Sequence, residues 1–211
     1  MAAMPEPGPD CSLCPRLVDY RNDGRRDHPD WHNAPVASFG AIDAGLLIVG
    51  LAPGMRGANR TGRPFTGDAA GDLLYPTLIK FGLAEGNFGA KADDGLRLVN
   101  CRITNAVRCV PPENRVTAAE ARACGPFLVD EIAAMENLKA ILALGGVAHG
   151  AVLTTLGLKK SAHKFGHGAQ HPLNDGLILI NSYHCSRYNT NTGRLTTPMF
   201  ETVFEDLLKL L

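Results

Sequence analysis

The chain has 211 residues, 45% of them hydrophobic and 20% charged, and its basic and acidic side chains cancel to a formal net charge of zero. That composition fits one soluble globular domain with a real core. It excludes attraction of a polyanion by the overall field, leaving only a local patch for that purpose. The longest apolar runs, GLLIVGLAP and AILALGGVA, are too short to span a bilayer. The start, MAAMPEPGPDCSLC, lacks the charged and apolar regions of a signal peptide, so a cytoplasmic location is expected.

In chain order, residues 1–10 read as a flexible lead-in to a single domain covering residues 1–211. Cys11 and Cys14 then form a C-x2-C pair directly before Pro15. The run GLLIVGLAP predicts a buried strand that breaks into a glycine-rich loop. Within residues 50–68 lie five glycines, three arginines and one acidic residue, Asp68. AAGDLLYPTLIKFGL has helical spacing in Leu73, Leu74, Leu78 and Phe81, with Pro76 expected in the first turn or at a kink. LRLVNCRITNAV predicts a second strand. VTAAEARACGPFLVDEIAAM opens with Thr117 and has Glu120 three residues on, the signature of a capping box. KAILALGG, a short helix in VAHGAVLTTLG, the strand GLILINSYH and the amphipathic helix TTPMFETVFEDLLKLL complete the chain. Strand–helix alternation implies parallel βαβ crossovers and a sheet covered on both faces. In such folds ligands bind at the carboxyl ends of the strands, where GMRGANRTGRPFTGD, TNAVRC and HCSRYNTNTGR all lie.

The glycine loop has neither a P-loop nor a G-x-G-x-x-G pattern. Arg56, Arg60 and Arg63 are suited to phosphate contact or to plain solvation, and Phe65 to stacking on a ligand or to anchoring in the core. Asp68, just before a helix, suits an N-cap. Cys109 and Cys124, separated by 14 residues, make a second pair beside Cys11 and Cys14. Four such thiolates can hold zinc or a four-iron, four-sulfur cluster, and the unequal spacing leans toward iron–sulfur. Cys101 reads as a core residue. Cys185 adjoins His184, but neighbours in an extended strand point apart, which argues against a thiol nucleophile. His163, His167 and His171 recur every four residues, yet Gly166, Gly168 and Pro172 favour a mobile loop whose Lys159, Lys160 and Lys164 can touch a phosphate backbone.

Taken together, GLAPG, ANRTGRPFTGD, ITNAVRCVPPENR and SYHCSRYNTNTGRLT, with C-x2-C early and C-x14-C midway, resemble the family 5 (type B) uracil-DNA glycosylases over most of the chain. The resemblance implies an α/β fold, a three-layer α/β/α arrangement around a central four-stranded parallel sheet. It implies a 4Fe-4S cluster on Cys11, Cys14, Cys109 and Cys124. It also implies excision of uracil, and of other deaminated bases such as hypoxanthine or xanthine, from DNA by a monofunctional glycosylase in base excision repair. Gly50, Ala52, Phe65, Asn105 and His184 are then expected to bind the base, with Asp68, His184 and Asn105 catalytic. Arg56, Arg60, Arg63, Arg187 and Tyr188 are expected to contact DNA. Where better-known relatives have Asp in G-Q-D-P-Y, this chain has Ala52, and where family 4 has Glu it has Leu51. Asp68 is therefore the carboxylate expected to orient water. Cys185 stands where the family usually has Pro, and Ala70 where it often has Ser. Rival readings are a catalytically silent iron–sulfur protein that binds damaged or single-stranded DNA, and a zinc-stabilised nucleotide-binding module. With no heptad or exposed apolar stripe in the sequence, a monomer is expected.

Overall fold

Residues 6–211 are described by the computed structural model. Of the lead-in expected to be flexible, residues 1–5 lie outside the described residues, and residues 6–10 are tied down. Glu6 pairs with Arg108 at 3.2 Å and Arg102 at 3.6 Å, while Arg25 reaches Asp10 and the Pro9 carbonyl, each at 2.8 Å. The elements are α1 (Pro15–Asp27), β1 (Leu46–Gly50), α2 (Ala58–Thr61), α3 (Ala69–Lys80), β2 (Ala84–Glu85), β3 (Arg97–Leu98), β4 (Cys101–Asn105), α4 (Ala118–Ala134), β5 (Ala140–Leu144), α5 (Gly146–Thr155), β6 (Gln170–Pro172), β7 (Ile178–Ser182), α6 (Arg187–Asn191) and α7 (Thr197–Leu208).

The main sheet runs β4-β1-β5-β7-β6. Its first four strands are parallel, as the strand–helix alternation predicts, and β6 adds an antiparallel edge. That edge strand corrects the reading of residues 163–171 as a mobile loop. His149 Nε2 lies 2.8 Å from the His163 carbonyl, the Tyr183 amide donates to His167 Nδ1 at 3.2 Å, and Gln170–Pro172 pairs with β7. Glycine and proline there shape turns around a short strand that is too brief to show period-2 patterning.

Alternate strand residues feed opposite faces of the sheet. Leu46, Ile48, Ile103, Leu142 and Ile180 pack with Leu74 and Leu78 of α3 and with Phe200 and Phe204 of α7. Leu47, Val49, Ile141 and Leu179 pack with Leu128 of α4 and Val152 and Leu153 of α5. On α7 the positions Phe200, Val203, Phe204 and Leu207 form one buried stripe, and full burial of such side chains contributes about 1.5–3 kcal/mol each. The capping box at Thr117 and Glu120 is formed as the sequence predicts. Pro76 sits in the interior of α3, not in its first turn. Pro76 and Asp72 are both exposed, so the carbonyl that loses its amide partner faces water.

Candidate active site

Three strand ends deliver the candidate residues to one cleft of about 780 Å³. Gly50 ends β1 directly opposite Asn105, which ends β4, and His184 follows β7. Ala52, Arg56, Phe65, Asp68, Asn105, His184 and Arg187 all line the cleft. Asn105 is only 3% exposed, and no hydrogen bond to its side chain forms among the described residues, so the carboxamide is aimed into the cleft with its capacity unspent. A Cβ built on Gly50 would collide with Asn105 Oδ1 and stand 2.6 Å from Phe65 Cζ. Gly50 is thus the floor that lets both side chains meet.

Phe65 is buried with φ +51°, a left-handed conformation that strains a bulky residue and signals a position held for a purpose. Its ring centroid lies 6.1 Å from that of His184, tilted by 34°. Burial lowers the His184 pKa below 6.5, with Asp68 opposing more weakly, so the ring is neutral at pH 7. Gly145, at φ +96°, leaves the space taken by the His184 Cβ.

Asp68 caps α3: its Oδ1 accepts from the Ala70 amide at 3.0 Å. The other oxygen lies against the backbone of the preceding loop, where a Cβ on Gly57 would clash with Oδ2 and one on Gly54 would lie 3.1 Å from it. The glycines therefore make room for this carboxylate, and among the described residues it is the only one lining the cleft. Asp68 is both an N-cap and a cleft residue.

The family follows from comparison with known sequences. The profile of the Uracil DNA glycosylase superfamily matches residues 37–208. The chain is 48% identical over 206 residues to the Type-5 uracil-DNA glycosylase of Thermus thermophilus, covering 95% of this chain and 93% of that one. It is 44% identical to the Type-5 enzyme of Mycobacterium leprae (95% and 91% covered) and 41% identical to that of Pyrobaculum aerophilum (92% and 85%). The chain belongs to the uracil-DNA glycosylase superfamily. Its α/β fold is the one that the family resemblance implies, with the antiparallel edge strand β6 added to the four parallel strands expected.

Within this glycosylase fold the expected DNA-contacting cations divide. Arg56 and Arg187 are exposed at the cleft, and Arg60 is exposed beside it, its Nη2 2.9 Å from a Cβ built on Gly67. Tyr188 stands 72% exposed on α6. Arg63 is a correction: it is buried, bidentate to Asp94 at 2.7 Å, and enclosed by the rings of Phe39, Tyr75 and Phe88. It also holds the Asp94 carboxyl far below the usual carboxylate range. Its place is structural, because the partner lies 31 residues away and is invisible to local reading. Arg194, Asn189, Tyr183 and Phe165 line the cleft as well but were not singled out by sequence reasoning. Arg194 stacks 4.7 Å over Tyr183, and the only sequence signal for it was its place in the polar loop after β7.

Cys11, Cys14, Cys109 and Cys124 line a second, smaller cavity, bounded by α1 and α4. Burial raises the Cys109 thiol to about 11, with Arg21 pulling it down. Burial likewise raises Cys14 and Cys124. Arg21 is 3% exposed, donates to the Cys11 carbonyl at 3.0 Å and stands 3.9 Å from Cys109 Sγ. Its Nε has no partner, and no carboxylate pairs with it among the described residues. Also among the described residues, no group of three or more His, Cys, Asp or Glu side chains is arranged to hold a single metal ion. Cys101 and Cys185 are fully buried elsewhere, and burial pushes the Cys185 thiol up to about 12, which agrees with its dismissal as a nucleophile. No helix of the described residues is long and apolar enough to cross a membrane.

Proposed function

We propose that this chain extrudes uracil from DNA and hydrolyses its N-glycosidic bond, that it acts as a monomer, and that its base range extends to hypoxanthine and xanthine. The observation that supports this best is the convergence in one cleft of a strained aromatic face, an unbonded carboxamide, a neutral imidazole and a single carboxylate. Flipping costs a few kcal/mol of unstacking, which the base recovers against Phe65. Asn105 reads the polar edge of the base. As the bond to C1′ breaks, the electron pair stays with the base and the sugar gains cationic character. The His184 N–H donates to the carbonyl oxygen that takes the negative charge. Asp68 orients a water whose oxygen bonds to C1′, and its negative charge steadies the sugar cation. The products are an abasic site and the free base, which takes up the proton that the water releases. Ala52 has no acid–base capacity, so the carboxylate task rests on Asp68.

The four cysteines fit a four-iron, four-sulfur cluster. Arg21 supports this reading, because a buried guanidinium without a carboxylate is costly and four thiolates with a cluster core would supply the missing negative charge. When bound, such a cluster would tie the N-terminal segment to the loop after β4. Cys11, Cys14, Cys109 and Cys124 would hold it, and the Arg21 guanidinium would offset its negative charge.

The test is strand scission by alkali of end-labelled duplexes carrying uracil or hypoxanthine. Scission at uracil, with slower scission at hypoxanthine, is expected. Binding without scission would make the chain a silent DNA binder, and complete resistance of hypoxanthine would refute the broad pocket. The purified protein is expected to be brown, absorbing broadly near roughly 400 nm; a colourless zinc protein would refute the cluster.

A further inference from the structure

A second cleft of about 770 Å³ lies between α4, α5 and the segment around Lys160. It meets the first at Leu51, Gly146, Val147 and Phe165, which line both. Two features identify what it would take. The first is charge. Arg122 and Lys160 line it, no carboxylate does, and neither cation has an ion-pair partner among the described residues. Elsewhere, ten of the chain's 21 lysines and arginines are matched among the described residues. Arg16, Arg25, Arg26, Arg63, Arg97, Arg102, Arg108, Arg115, Lys80 and Lys209 all pair with carboxylates. Of the other 11, five line the two connected clefts, Arg56, Arg187 and Arg194 the first and Arg122 and Lys160 the second. Gly150 sharpens the point: a Cβ there would lie 3.3 Å from Lys160 Nζ, so the bare backbone of α5 seats this ammonium.

The second feature is the junction itself. Val147 is 63% exposed, and the Phe165 ring stands edge-on to His149 at 5.6 Å. An exposed apolar saddle between two cationic clefts matches a polymer of alternating charge and flat apolar groups. Starting from the reading of the first cleft as the base pocket, we propose that the second cleft holds an unpaired stretch of the same DNA strand, next to the extruded nucleotide. Its phosphates lie on Arg122 and Lys160, and a base rests on Val147 and Phe165.

The test is affinity, by fluorescence anisotropy, for single-stranded oligonucleotides carrying one uracil and a short or long flank on either side. Wild type, Arg122→Ala/Lys160→Ala and Val147→Asp are compared across salt concentrations. Wild type is expected to gain affinity from lengthening one flank, and both variants to lose that gain. The double variant should also show a log Kd against log salt slope smaller by about 1.4, two contacts at about 0.7 each. Equal flank gain and equal slope in all three proteins, or no flank gain in wild type, would overturn the proposal. Excision of uracil is scored in the same samples. Flank gain without excision would refute the glycosylase reading alone, and excision without flank gain would refute the second cleft alone.

Discussion

At the cleft mouth Arg56, Arg187 and Arg194 stand without carboxylate partners among the described residues, Arg187 at the start of α6 and the other two in loops. Around the cysteines the cations other than Arg21 are matched. Glu131, fully buried, takes Arg102 and Arg108 at 2.6 Å each, and Arg16 chelates Glu120 at 2.8 Å. Although burial opposes it, the two arginines hold Glu131 below its ordinary pKa. The contrast separates two uses of one residue type. A matched, buried arginine fixes the chain, whereas an unmatched one at a strand end is available to a phosphate. Arg21 belongs to neither group until the cysteines carry negative charge.

Substitutions on both sides test this contrast. His184→Ala should lose about 10²–10³ in excision rate, the cost of one donor at a developing oxyanion, and single-turnover kinetics would measure it. An effect below threefold would remove His184 from the chemistry. Arg63→Ala should destabilise the fold by about 3–5 kcal/mol, because it leaves the Asp94 carboxylate buried without its cation. Urea unfolding measures this, and a loss confined to DNA affinity would restore Arg63 to the DNA-binding group. Arg56→Ala or Arg187→Ala should leave stability within about 0.5 kcal/mol and reduce the salt slope of duplex binding by about 1. An unchanged slope would detach the residue from the phosphate path.

The smallest expected effect is on pH. The folded His184 ring binds its proton more weakly than the unfolded one, so protons favour the unfolded state. Its contribution to stability is intact above pH 6.5 and erodes as pH falls from 6.5 toward the lowered folded pKa. The acid limb of the excision rate should accordingly have its midpoint below 6.5. A midpoint at or above 6.5 would contradict a desolvated neutral ring.

Much of this architecture was legible in the sequence. GLLIVG and KAILALGG are apolar on both faces, which only a strand covered on both sides requires, and the three polar loops pointed to one end of the sheet. The convergence of Phe65, Asn105, Asp68 and His184 was legible through the motifs. What escaped had long-range causes. α1 has no apolar stripe to read, since its buried face contains Arg21 and Gly24 beside Leu17. Arg63 looked like its neighbours Arg56 and Arg60 because nothing local marks Asp94 as its partner. The purpose of Gly54 and Gly57 emerged only from the position of the Asp68 carboxylate against them.

Asp68 carries the central claim, and its two functions can be separated. Serine caps a helix about as well as aspartate but has no carboxylate to orient water. In an alkali-scission assay on a uracil duplex, Asp68→Ser should fold with wild-type stability and lose about 10²–10⁴ in rate, the range for a positioned acid–base group. Wild-type scission by Asp68→Ser would contradict the account and leave Asp68 as a helix cap alone.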